Sequence, residues 1–134
     1  MKRSLSFEEL KVYRLSEQLC DQIWMIVINW DHLAKNTIGS QLVRSADSIG
    51  ANITEGSGRG SFADNKRFIR IARGSLFETR HWLRRALQRK PLSNGETIIL
   101  KELIAELGPR LNAYLNSIGT EKTTNTAEVI KDDQ

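Results

Sequence analysis

A chain of 134 residues, 40% hydrophobic and 27% charged, is sized for one domain with one core. A single cysteine, Cys20, excludes an internal disulfide, and only two prolines favour helices, which proline breaks. No stretch approaches the ~18–20 consecutive apolar residues that span a bilayer, and no apolar run follows the basic N-terminal residues, so a cytoplasmic protein is expected.

The first helical pattern runs from about Phe7 to Trp30 and carries two apolar seams. One is Val12, Leu19, Ile23, Ile26 and Trp30; the other is Leu10, Tyr13, Cys20, Trp24 and Val27. A single bundle core needs a narrower stripe, so the second seam points to another helix layer or to a subunit interface. In the second pattern, about Ile38 to Glu55, Leu42, Ala46, Ile49 and Ile53 share one face, and the small residues Ser45, Ser48, Gly50 and Ala51 permit a close neighbour. Gly56 suits the left-handed position that ends a helix. The third pattern, about Phe62 to Gln88, starts at Ser61 with Asp64 three residues on, which is capping-box-like. Phe62, Ile69, Leu76 and Leu83 recur there every seven residues. The fourth opens with a Ser93/Glu96 capping box, and Leu100, Ile104, Leu107, Leu111, Tyr114 and Ile118 form a bundle seam in which Pro109 predicts a kink. Residues 119–134 are polar and threonine-rich and are expected to be a disordered tail. Four helices with short connections, over residues 1–118, predict an all-α, up-down-up-down four-helix bundle.

The stretch "NITEGSGRGS" at residues 52–61 offers three chemistries. Asn52 opens a glycosylation sequon, but a chain expected to be cytoplasmic is not expected to meet the glycosylation machinery. The glycines miss the Walker-A pattern, which needs a preceding strand and a Gly-Lys-Ser/Thr ending; they miss the dinucleotide fingerprint in spacing as well. A hinge between helices remains, with a lesser reading of Arg59 and the following helix N-terminus as a seat for one phosphate. Catalysis has little support. His32 and His81 are far apart in sequence, no His/Cys/carboxylate cluster has metal-ligand spacing, and Cys20 falls in an apolar seam as an inert thiol. Ser48, Asn52, Glu55, Ser75 and Glu78 read as a structural hydrogen-bond network. No cofactor is expected.

Charge is the informative feature. The net +4 conceals a segment, residues 59–90, with ten basic and two acidic residues. At 100° per residue, Lys66, Arg70, Arg73, Arg80 and Arg84 fall on one line of the third helix together with Phe77, and Arg67 and Arg85 flank them. A solvated helix face usually mixes signs, whereas an unmixed arginine-rich row suits phosphates. Arg59, Lys66, Arg67, Arg70, Arg73, Arg80, Arg84 and Arg85 are therefore the candidate contacts to an RNA or DNA backbone. Salt bridges across an interface and a simply solvated face are the alternatives.

The motifs "FEELKVYRLSEQL", "QLVRSADSIGANITEGSGRGS" and "RFIRIARGSLFE" resemble the bacterial four-helix-bundle proteins encoded in large-subunit rRNA intervening sequences, over roughly residues 7–118. The accessory variability proteins of diversity-generating retroelements share that fold. The resemblance implies a subunit of a barrel-shaped homopentamer. For the retroelement branch it further implies a basic nucleic-acid-binding surface and a reverse-transcriptase partner. For the rRNA-insert branch it implies no defined biochemical activity, and the alternative reading is a protein-interaction scaffold of that type with no direct nucleic-acid role. Asn65-Lys66 replaces the acidic-aromatic pair expected after the loop, and Thr54 replaces a usual alanine. The reading is a non-enzymatic homopentameric accessory protein that binds nucleic acid through its third helix.

Overall fold

Four helices carry the structure: α1 (Lys11–Val27), α2 (Ser40–Ser57), α3 (Phe62–Arg89) and α4 (Asn94–Ser117). The computed structural model describes residues 6–89 and 92–120, and among these there is no strand. A short 3-10 turn, Phe7–Glu9, precedes α1. The turn His32–Ala34 starts on Asp31, whose carboxylate accepts from the Ala34 N–H at 2.9 Å, and a π-helical segment, Lys35–Gly39, leads into α2. The fourth helix starts as its capping box requires. The Ser93 hydroxyl accepts from the Glu96 N–H at 3.0 Å, and the Glu96 carboxylate accepts from the Ser93 N–H at 2.9 Å. It is continuous through Pro109.

Successive helices are antiparallel. Ser16 of α1 faces Gly50 of α2, while Val27, further on, faces Gly39, which is earlier. Ser45 and Ser48 of α2 meet Thr79 and Ser75 of α3 in reversed order. Arg73 of α3 meets Asn112 of α4, and Leu76 meets Gly108. The last helix closes against the first, which makes an up-down-up-down four-helix bundle.

One core fills it. Val12, Leu19, Ile23, Ile26 and Trp30 of the first seam are buried, as are Leu42, Ala46, Ile49 and Ile53 of α2. From α3 come Ile69, Ala72, Leu76 and Leu83, and from α4 come Leu100, Leu107 and Leu111. The second seam of α1 is only partly used inside the subunit. Leu10 and Val27 are buried, Tyr13 and Cys20 are half-buried, and Trp24 is 54% exposed beside the exposed Met25.

The helix pair α2/α3 packs closely along a line of hydroxyls. Thr79 Oγ1 donates to Ser45 Oγ at 3.0 Å, Ser75 Oγ donates to Ser48 Oγ at 3.0 Å, and Asn52 Nδ2 donates to the Ser48 carbonyl at 2.8 Å. The serines and Asn52 form the network expected of them, with Thr79 as an added member. Glu55 and Glu78 stand outside it, paired with Arg59 and Arg44.

Gly56 departs from expectation. It is not a left-handed helix terminus, because α2 continues to Ser57 and the positive φ falls at Gly60, at 86°. Gly56 is buried where α3 crosses. A β-carbon there would stand 3.0 Å from Phe68 Cβ and 3.1 Å from the Asn65 carbonyl oxygen. Its requirement is space rather than backbone freedom. At the same end of the bundle Gly119, with φ 91°, lies against the Phe62 ring, and the Thr120 hydroxyl donates to the Ser117 carbonyl at 2.8 Å. The remainder of the tail expected to be disordered, residues 121–134, lies outside the described residues.

Candidate nucleic-acid interface

The basic segment that begins at Arg59 and runs along α3 presents three features. At its start, Arg59 and Arg67 both stack on the Phe68 ring, with guanidinium carbons 5.1 and 4.4 Å from the centroid. Each also has an acid: Glu55 lies 3.4 Å from Arg59, and Asp64 lies 3.7 Å from Arg67. This end of the basic segment is therefore largely compensated, and the lesser reading of Arg59 as a phosphate seat loses its free charge. Ser61 does cap α3, accepting from the Asp64 N–H at 3.1 Å. Arg85, on another side of the helix, donates to Gln88.

The second feature is the row itself. Lys66 is half-buried, Arg70 and Arg84 are exposed, and none of the three has a hydrogen bond or ion pair among the described residues. Arg80 has only the Phe77 ring beneath it, at 5.5 Å. Arg73 is held by Asn112, whose side-chain oxygen accepts at 3.0 Å. The row spans roughly 27 Å from Lys66 to Arg84 at the α-helical rise.

The C-terminal half of the row borders the third feature, a groove. Helices α3 and α4 touch less extensively than α2 and α3 do, and a furrow of about 690 Å³ opens between them. Arg73, Arg80 and Arg84 line one side, and Lys101 of α4 lines the other. Between them lie Leu76, Leu83, Leu100 and Ile104, with Phe77 at the edge, 60% exposed. Among the described residues no aspartate or glutamate lines it. Lys101 was missed because charge was counted along one segment, whereas the site is made by two helices. Its position one residue after the buried Leu100 was the available signal.

The acids sit elsewhere. Glu78 of α3 accepts from Arg44 of α2 at 2.8 Å and from the Trp82 indole at 3.1 Å. On the opposite side of α4, Asp21, Glu102 and Glu106 border a cleft of about 540 Å³ against α1. Cys20 stands among acids as well, Asp47 of α2 and Asp21 and Glu17 of its own helix. Burial first, and then the charge of Asp47, Asp21 and Glu17, push its thiol up to about 12. The thiol thus stays protonated although it is only half-buried, and its low nucleophilicity follows from burial first and from the nearby acids second.

Among the described residues no group of three His, Cys, Asp or Glu is placed to hold a metal, and no helix is long and apolar enough to cross a membrane. No curated protein matches the chain. The family model described as the 23S rRNA-intervening sequence protein matches residues 8–113, which takes in α1 to α3 whole and most of α4, and the chain belongs to that family.

Proposed function

We propose that this protein is a non-enzymatic, homopentameric accessory protein that holds nucleic acid through the basic row of α3. The observation that carries the reading is the groove: three arginines and a lysine converge on it, with no acid beside them among the described residues. Like charges held together cost free energy unless a polyanion completes them, and arginine forks suit phosphate oxygens. Arg70 and Lys66 extend the row beyond the groove and have no compensating partner among the described residues. Arg59, Arg67 and Arg85 contribute less, being already engaged by Glu55, Asp64 and Gln88.

Assembly would use the face that the bundle leaves bare. Trp24, Met25 and Ile28 of the α1 end are exposed, as are Ile98 and Ile99 of α4. Gln22 and Ile99 border one cleft, so the two sets lie at the same end of the molecule. An apolar surface at this end suits a subunit contact and leaves the α3/α4 groove open.

Catalysis is not proposed. Ser48, Ser75 and Asn52 are bonded to one another, Glu78 is committed to Arg44 and Trp82, and Cys20 is protonated. A reverse-transcriptase partner rests on the likeness to retroelement accessory proteins, and its test is co-purification that survives nuclease treatment. The second reading is a scaffold of the rRNA-insert type, with an acidic protein segment in the groove; the apolar floor between the cations favours it.

The deciding experiment is fluorescence anisotropy with labelled RNA and DNA. Arg80→Glu/Arg84→Glu/Lys101→Glu is expected to abolish binding with the helical circular dichroism unchanged, since all three side chains are exposed. Equal affinity for this variant and the wild type would refute the reading.

A further inference from the structure

We infer that the α3/α4 groove takes a single strand, with unpaired bases against its apolar floor, and discriminates against duplexes. This inference rests on the nucleic-acid reading above and specifies its ligand.

A duplex offers a protein its phosphates and the edges of its bases; the flat faces of the bases are hidden in the stack. Cations alone would serve it, on a convex or open surface. The groove is built otherwise. Its cations stand on the walls, and leucines and an isoleucine form the floor between them. Those apolar groups have no counterpart on a duplex backbone, but they match the faces of unstacked bases.

Phe77 supplies the aromatic platform such a strand needs. It lies on the cationic line of α3, it is 60% exposed, and Arg80 already rests over its ring at 5.5 Å. A base could stack on the same ring while Arg80 turned to a neighbouring phosphate. Arg73 is pre-set for its part by the 3.0 Å bond to Asn112. From Arg73 to Arg84 the wall runs roughly 16 Å, room for a few nucleotides of a single strand. Lys101 faces this wall from α4, so a strand lying in the furrow would meet positive charge on both sides.

The test is binding of the full chain to a single-stranded oligonucleotide, to its perfect duplex and to an acidic leucine-rich peptide, with Phe77→Ala and Phe77→Trp beside the wild type. The wild type is expected to bind the single strand at least about tenfold more tightly than the duplex, on the scale of one to two stacked bases. Phe77→Ala should weaken the single strand by roughly five- to fiftyfold, change the duplex less than about twofold, and be rescued by Phe77→Trp. Equal binding of single strand and duplex, or a Phe77→Ala variant indistinguishable from wild type, would overturn the inference; the nucleic-acid reading stands in that case if the charge-reversed variant still loses binding. Loss of neither form on charge reversal would overturn both. Tighter binding of the peptide than of the single strand would assign the groove to a protein.

Discussion

Gly56 and Gly74 stand in neighbouring helices and differ in what lies beside them. A β-carbon on Gly56 meets Phe68 Cβ at 3.0 Å and the Asn65 carbonyl at 3.1 Å, neither of which can swing away. A β-carbon on Gly74 meets nothing within 4 Å. Alanine gains about 1 kcal/mol over glycine inside a helix, and overpacking costs about 1–3 kcal/mol. Gly56→Ala should therefore lower stability by up to about 2 kcal/mol, whereas Gly74→Ala should raise it by about 0.5–1 kcal/mol. Urea titration checks both through the midpoint at constant slope; a stabilised Gly56→Ala would contradict the packing described. At the same scale, Cys20 gives a pH prediction. With the thiol pushed up to about 12 in the folded state, alkylation by iodoacetamide near neutral pH should be far slower than in the unfolded chain. The sign for stability follows: the folded pKa is raised, so this contribution is complete below the unfolded thiol's pKa and is lost as pH rises toward about 12. Equal alkylation rates with and without denaturant would contradict it. Sequence pattern alone placed Gly56 at a helix end, since glycine after Glu55 signals a terminus; that α3 passes close above it is a fact about another helix.

Among the elements, α2 and α3 are joined by hydroxyls and α3 and α4 are held apart by a groove. Thr79 is fully buried and donates to Ser45 Oγ, with its own turn's Ser75 carbonyl at 2.8 Å. Thr79→Val keeps the shape and removes the donor, so a loss of about 1 kcal/mol is expected by thermal or urea unfolding. An unchanged midpoint would show that the hydroxyl line contributes nothing net. Helix positions, the Ser93/Glu96 cap and the first seam of α1 were legible because periodicity and caps are local signals. The small residues of α2 also announced a close neighbour. The groove was not legible: it depends on how far α3 and α4 stand apart, and Lys101 reads as one exposed charge on an otherwise unremarked face. The compensation of Arg59 and Arg67 was partly visible, as Glu55 and Asp64 lie at i,i+4 and i,i+3. The pairing of Arg44 with Glu78, 34 residues apart, was not.

At the scale of the whole molecule, positive charge gathers on the α3 side and acids gather between α1 and α4, while Trp24, Met25, Ile28, Ile98 and Ile99 are bare where α1 stops and α4 starts, with Phe62 bare at the other end. Under the proposed function, that distribution would give polyanion binding and self-association separate surfaces. Light scattering is expected to give an oligomer for the wild type and a monomer for Trp24→Lys/Met25→Lys; a wild-type monomer at micromolar concentration would remove the interface. The most direct test of the basic groove is the salt dependence of RNA binding. Four cations, Arg73, Arg80, Arg84 and Lys101, line it. With ~0.7 counterions released per phosphate neutralised on a single strand, log K against log salt should fall with a slope of roughly −3 per groove, and each cation neutralised should reduce that slope by ~0.7. A slope near zero, or one that Arg80→Gln and Arg84→Gln leave unchanged, would contradict the account.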